Sequence, residues 1–300
     1  MGCQKTSIHP LKEWMADSGR IKVLSTIAQI NDLVFEIGGE RVDSWVLIQG
    51  SLNPHSYELV KGDGEKFDRA DLVFYNGLGL EHGASLFSCL HSSGKAAAVG
   101  DEILKRHPER ILYKGGEVDP HIWMDVSLWE NAIDPIVEKL SEKDPEGAAY
   151  YRERAESLRE RMQSAHGDLF EMTHRIPADR RFLVTSHDAF HYYTRAYLSD
   201  GEEHWQERFA APEGLAPDGQ LSTSDIKRIV EFLSAHRIEV LFPETNVSRD
   251  SIRKIIQSGN EMGLSLRICE ETLYGDAMDG DHLTYLEMMR HNTEVIVRNL

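Results

Sequence analysis

Cysteine is nearly absent from this 300-residue chain: Cys3, Cys89 and Cys269 are the only three, and no two stand at CxxC spacing. That argues against a disulfide framework and against a thiolate metal site. Long apolar runs are missing too; none reaches eighteen residues, so no segment reads as a membrane-spanning helix. Basic residues are outnumbered, 33 Lys and Arg against 50 Asp and Glu, for a net charge of -17. A chain of that sign repels nucleic acid and anionic headgroups, which makes both poor partners, and it attracts cations. No glycine-lysine loop of the kind that cradles phosphate occurs, so nothing points to an ATPase. The string Gly77-Leu78-Gly79-Leu80-Glu81 lacks dinucleotide-loop spacing and reads as a tight strand-to-helix turn.

What is present is the composition of a soluble globular protein, 41% hydrophobic and 28% charged, over a length that suits two domains. In the first half, apolar runs at 21–27, 42–49, 72–76 and 96–100 read as buried strands, with helical spacing at 29–37, 61–70 and 80–90. The second half repeats the rhythm, with strands at 181–186, 239–243 and 264–268, helices at 189–198, 224–235 and 251–262, and a last helix at 285–299. Alternation of this kind builds a parallel sheet covered by helices. Between the halves, Tyr151, Ala155, Leu158, Met162, Ala165, Leu169, Met172 and Ile176 recur at steps of four and three, with polar residues between them. Asp144 suits the N-cap, Pro145 the first helical position and Pro177 the end. A helix over 145–176 spans about 48 Å. The expected fold is therefore α/β with two lobes, 1–144 and 177–300, each a mostly parallel sheet flanked by helices, joined by one long rigid backbone helix, 145–176. Such a connector predicts small motions on binding. Residues 198–222, rich in charge, Gly and Pro, read as a surface loop beside the cleft mouth, packed down by Trp205 and Phe209.

Histidine supplies the chemistry. His55, His121 and His187, with Asp276, stand at strand-to-loop boundaries in distinctive strings: Asn53-Pro54-His55-Ser56-Tyr57-Glu58, Asp119-Pro120-His121-Ile122-Trp123-Met124-Asp125, Thr185-Ser186-His187-Asp188-Ala189-Phe190 and Leu273-Tyr274-Gly275-Asp276. Two fall in each half, so an ion shared by all four sits between the halves. Neutral imidazole nitrogen plus carboxylate oxygen is a donor set for a divalent first-row ion. Four protein donors leave little room for a catalytic water, which favours carriage over chemistry. A bidentate Asp276 makes five donors, a shell that manganese or iron(II) accepts more readily than zinc. Each residue also has a plainer reading. His55 fits a solvated turn, Asp119-Pro120-His121 fits a turn that starts a helix capped by Asp125 or Ser127, and Asp276 alone is an ordinary turn residue after Gly275. If His121 is a ligand, Trp123 and Asp125 suit the shell that holds it.

Two other functions compete. His187 and His191 stand four apart with Asp188 beside the first, one methylene short of the zinc-hydrolase pattern in which a glutamate is the general base. Against that enzyme, Asp is short for the role, His187 ends a strand, and no third ligand follows at the expected spacing. The third reading is an adhesin or structural protein whose metal only stabilises the fold. His82, His91, His107, His166, His174, His204, His236 and His282 have polar neighbours and read as surface residues. Asn246-Val247-Ser248 matches a glycosylation pattern too short to carry information.

The four strings resemble those of the cluster A-I solute-binding proteins of metal ABC transporters. Further matching pieces are Asn76-Gly77-Leu78-Gly79-Leu80-Glu81, Asp144-Pro145-Glu146, Glu213-Gly214-Leu215-Ala216-Pro217 and Tyr285-Leu286-Glu287-Met288-Met289-Arg290-His291-Asn292, in family order over nearly the whole chain. The resemblance implies a two-lobed receptor that buries one divalent transition metal ion, zinc, manganese or iron(II), and delivers it to an ABC transporter permease in the inner membrane. It maps the ligands to His55, His121, His187 and Asp276 and a supporting acid to Glu244. It implies a periplasmic or cell-surface monomer that is not an enzyme. Manganese receptors of this kind carry Glu where His187 stands, and the His-rich acidic loop of dedicated zinc receptors is missing before Asp119. Met1-Gly2-Cys3 looks like the junction at which bacterial lipoprotein precursors are cut, so Cys3 is expected either to carry a lipid anchor or to be a plain thiol. Neutral imidazole ligands predict a metal affinity that falls as pH drops through about 6.

Overall fold

The computed structural model describes residues 10–201, 204–217, 221–278 and 283–300. A short helix α1 (Pro10–Met15) leads into β1 (Ile21–Ser25), α2 (Ala28–Gly38), β2 (Val42–Val46), α3 (Asp63–Arg69), β3 (Leu72–Tyr75), α4 (Ala84–Ser92) and β4 (Ala96–Ala98). The four strands form one parallel sheet in the order β2-β1-β3-β4, with Val23 opposite Ser44 on one side and Leu72 on the other. Successive strand residues point to opposite faces: Val23, Leu72 and Phe74 enter one apolar cluster, while Leu24 and Val73 enter another with Trp14, Leu47 and Phe67. Burial on both faces is why β3, LVFY, reads as an unbroken apolar run.

Beyond β4 come α5 (Val99–Arg106), the antiparallel pair β5 (Tyr113–Lys114) and β6 (Glu117–Val118), α6 (Val126–Trp129) and α7 (Ile133–Lys143). The long helix α8 spans Ala148–Thr173, about 39 Å at 1.5 Å per residue. It is shorter than 145–176 at both ends. Pro145–Gly147 forms a 3-10 turn instead, tied down by Asp144, which accepts from Gly147 N, Tyr151 Oη (2.7 Å) and Arg41 Nε (2.7 Å). At the far end Thr173 Oγ1 donates back to Leu169 O at 3.1 Å, and Pro177 disfavours helical backbone at Ile176. Thr173 is buried there, while Ala165 and Met172 of the expected seam are only half-buried.

The second lobe contains β7 (Leu183–Val184), α9 (His191–Tyr193) running into a π turn (Thr194–Leu198), β8 (Phe209–Ala210), α10 (Thr223–His236), β9 (Val240–Leu241), α11 (Asp250–Glu261), β10 (Arg267–Ile268) and α12 (Tyr285–Asn299). Two parallel pairs, β7 with β8 and β9 with β10, are joined where Phe242 N donates to Val184 O at 2.9 Å. β8 lies inside the segment read as a surface loop. The packing expected there is present, since Trp205 and Phe209 are buried.

α8 packs on α2, α6 and α7 and also on α12, which lies against α2 as well. One apolar cluster runs from Val23 and Ile37 through Leu158 and Met162 to Val240, Leu273 and Ile296, so the core is continuous through both lobes. Among the described residues no helix is long and apolar enough to cross a membrane, and Cys89 and Cys269 are free thiols. Cys3 and His282 lie outside the described residues.

Candidate metal centre

His55 and His121 are presented by the same local device. Asn53 Oδ1 accepts from His55 N at 2.9 Å and Asp119 Oδ1 accepts from His121 N at 3.0 Å. Each is an Asx turn with proline between acceptor and histidine, which fixes the backbone of a residue that no strand or helix holds. His121 is held further by its neighbours: Asn76 Nδ2 donates to Pro120 O at 3.0 Å, and the buried Glu81 accepts from Asn76 N and Gly77 N. The Gly77-to-Gly79 segment is the tight turn its sequence suggests, with Gly77, Leu78 and Gly79 all at positive φ, and helix α4 begins only at Ala84.

His187 lies three residues past β7. Glu244 Oε1 accepts from Ser186 N and His187 N, both at 2.9 Å, while its Oε2 lies 2.7 Å from His187 Nδ1. Asp276 follows Gly275, whose carbonyl accepts from Trp123 Nε1 at 3.0 Å, and its own carbonyl accepts from Gln29 Nε2 at 2.9 Å. Both donors belong to the first lobe, so Asp276 is pinned across the interface. A Cβ on Gly275 would overlap Glu244 Oε2 and crowd His187 Cε1. Gly275→Ala is therefore expected to cost about 1–3 kcal/mol of stability and to weaken metal binding about tenfold. Thermal melts and chelator competition check this, and an unchanged melt with unchanged affinity would contradict it.

The four side chains converge. His55 Nε2 lies 3.3 Å from His121 Nε2, and Asp276 Oδ1 lies 3.2 Å from His121 Nε2 and 3.3 Å from His187 Nε2. Asp276 Oδ2 is 3.6 Å from His55 Nε2. All four residues are buried, and their donor atoms lie within 4.8 Å of one another. A tetrahedral shell with bonds of about 2.0–2.1 Å has edges of about 3.3–3.4 Å. The spacing thus fits one ion, and this buried three-histidine, one-aspartate site could hold it. A small cleft lined by Leu52, Pro54 and Met278 reaches Asp276 from the surface.

Electrostatics follow from the crowding. Burial lowers the His55 imidazole below its ordinary value. Burial acts the same way on His121, but Asp119 and Asp276 overcome it and raise the group to about 9. His187 is likewise raised well above 6.5, by Asp276 and Glu244 against burial. Burial would raise Asp276, yet His187 and His55 hold it well below the usual carboxylate range.

The supporting shell differs from expectation at one position. Asp125 touches none of the four; its Oδ1 caps α6 by accepting from Ser127 N and Leu128 N, and Arg110 pairs with its Oδ2 at 3.2 Å. The carboxylate that orients His121 is Asp119, 2.7 Å from His121 Nδ1. Asn246 was equally hidden: its Nδ2 donates to Asp276 Oδ2 at 2.9 Å. His191 is not among the converging donors, so the His187 and His191 pair does not share an ion; its Nδ1 lies 2.9 Å from Asp119 Oδ2. Exposed His82 lies beside His55, ring centroids 5.7 Å apart, whereas His166 is half-buried with Nδ1 3.0 Å from Tyr197 Oη.

Two α/β lobes on a shared long helix, with three buried imidazoles and a carboxylate that could hold one cation, define the class of metal solute-binding proteins. The chain belongs to the family described as zinc-uptake complex component A, periplasmic, whose model matches residues 23–299. It is 37% identical over 282 residues to the metal-binding protein YtgA of Chlamydia pneumoniae, covering 93% of this chain and 85% of that protein. To the manganese-binding lipoprotein MntA of Bacillus subtilis it is 31% identical, over 94% of this chain and 90% of the relative. Among solved structures, Fe(III)-bound YtgA from Chlamydia trachomatis superposes with a TM-score of 0.87 at 36% identity, covering 93% of this chain and 97% of the other. Relatives of this kind are substrate-binding proteins of metal ABC transporters and work with a membrane permease; none of these resemblances supports a hydrolase.

Proposed function

We propose that this chain is the extracytoplasmic receptor of a metal ABC transporter, which captures one divalent transition metal ion through His55, His121, His187 and Asp276 and hands it to its permease. The observation that carries this reading is the convergence of three buried imidazoles and Asp276: four donor-to-donor distances of 3.2 to 3.6 Å link them, and all the donor atoms lie within 4.8 Å of one another. Four buried protein donors fill a tetrahedral shell, which suits carriage and not catalysis. Glu244 and Asp119 each face the other ring nitrogen of a ligand histidine, the support that metal-bound imidazole ordinarily has. In this reading the receptor is a monomer of two lobes, 1–144 and 177–300, on the 145–176 connector, periplasmic or at the cell surface, with Cys3 as its lipid anchor. Relatives are described with manganese and with ferric iron, and the family with zinc, so each of these metals is a candidate cargo. Raw affinity favours zinc over manganese.

Metal analysis of the purified protein by plasma mass spectrometry, followed by titration of the stripped protein with zinc, manganese and iron(II), tests the proposal. One ion per chain and a cooperative melt of the stripped protein are expected. No bound ion would sink the receptor reading, and a stripped protein without a cooperative melt would favour a structural metal.

A further inference from the structure

We infer that His191 is a positioning residue of the metal site, reaching from the second lobe to fix Asp119, the carboxylate that aims His121. This rests on the four-ligand reading above. Asp119 is 1% exposed, so water cannot supply partners for its two oxygens. Oδ1 takes His121 N at 3.0 Å and His121 Nδ1 at 2.7 Å; Oδ2 takes His191 Nδ1 at 2.9 Å. A carboxylate bonded through one oxygen can still swing about its broad terminal torsion, and a second bond removes that freedom. Without His191, Oδ2 is left as a buried acceptor with a charge and no donor, a costly state that only movement of Asp119 relieves.

The segment that carries His191 is built as a clasp. It starts four residues after His187 and continues through the π turn, a geometry frequent at functional sites. Tyr192 Oη donates to Asp119 O at 3.0 Å and accepts from Leu112 N at 2.9 Å. Arg195 Nη2 donates to Arg110 O at 2.8 Å, and Tyr197 Oη accepts from Val126 N at 3.1 Å. All four acceptors and donors on the far side belong to the first lobe. The clasp thus links a ligand of the second lobe to the loop that bears His121, and parting of the lobes would withdraw His191 from Asp119 and loosen His121 in the same movement.

Packing and hydrogen bonding at His191 can be separated. Its ring lies against Phe209 and Trp205, with centroids 4.9 and 5.7 Å away. His191→Phe keeps an aromatic ring there and loses the donor; His191→Asn loses the ring and places an amide N–H near the Nδ1 position. Zinc affinity is measured by competition with a chromophoric chelator, with visible spectra of the cobalt(II) forms and thermal melts alongside. His191→Phe is expected to bind zinc about tenfold or more weakly, in the range seen when support of a ligand histidine is removed, with a shifted cobalt(II) band. His191→Asn should recover most of the affinity and the wild-type band. A phenylalanine variant equal to wild type, or an asparagine variant as weak as phenylalanine, would overturn the inference. A wild-type protein that binds no ion would overturn the four-ligand reading instead, so the two failures are distinct.

Discussion

His121→Ala should bind zinc about a hundredfold to a thousandfold more weakly than wild type, if about 10–16 kcal/mol of four-ligand binding is shared evenly among the donors. It should still melt cooperatively. His121 Nε2 is the atom nearest both another imidazole, at 3.3 Å from His55, and the carboxylate, at 3.2 Å from Asp276 Oδ1, so its removal opens the shell on two edges. The fold survives because the apolar cluster that joins the lobes through α8 includes none of the four converging side chains. Chelator competition with a circular-dichroism melt checks both halves. Affinity within about threefold of wild type would show that His121 is no ligand, since even loss of a supporting residue typically costs tenfold or more.

Zinc affinity is also expected to fall by tenfold to a hundredfold for each unit of acidification below about pH 8, corresponding to one or two protons displaced per ion. The sign follows from the empty site. Asp119 and Asp276 raise His121 to about 9 against the effect of burial, and Asp276 and Glu244 raise His187 well above the ordinary value, so both hold a proton more tightly than a free imidazole; burial acts the other way on His55. An ion requires neutral Nε2, so protons compete with it from well above the pH of about 6 that isolated histidines suggest. Titration calorimetry in buffers of different ionisation enthalpy counts the protons released, and a count of zero at pH 7 would contradict the account. The same pairs set the stability of the empty protein. A raised imidazole contributes stability fully present below its ordinary value of 6.5 and lost as pH rises through about 9. The empty protein should therefore melt lower at pH 9.5 than at 7, a difference that bound zinc removes.

The convergence of His55, His121, His187 and Asp276 was legible because loops that carry chemistry have turn residues of their own, and three histidines in such strings with one Gly-Asp leave few other roles. Their supports were less so. Asp119 and Asp125 both stand near His121, and nearness in sequence does not tell them apart: Asp125 caps the following helix, whereas Asn53-Pro54-His55 repeats the Asx-Pro-His form of Asp119-Pro120-His121 and marks the residue two before each histidine as its backbone acceptor. Asn246 carries no signal, since only tertiary packing brings it to Asp276. The four-residue step from His187 to His191 suggests a shared ion on one helix, yet His187 sits in the turn after β7 and His191 opens α9, which sends the two rings to different neighbours. Parallel strands buried on both faces gave clear apolar runs in the first lobe, whereas β8 has two residues and no period to detect. The long helix was visible through its seam, but a seam does not reveal where α-helix gives way to a 3-10 turn.

X-ray absorption at the zinc edge of the loaded protein reads the donors themselves. Three imidazole nitrogens and one or two carboxylate oxygens at about 2.0–2.2 Å, without sulfur, are expected. A shell containing sulfur, or one with fewer than three imidazoles, would place the ion elsewhere than among His55, His121, His187 and Asp276.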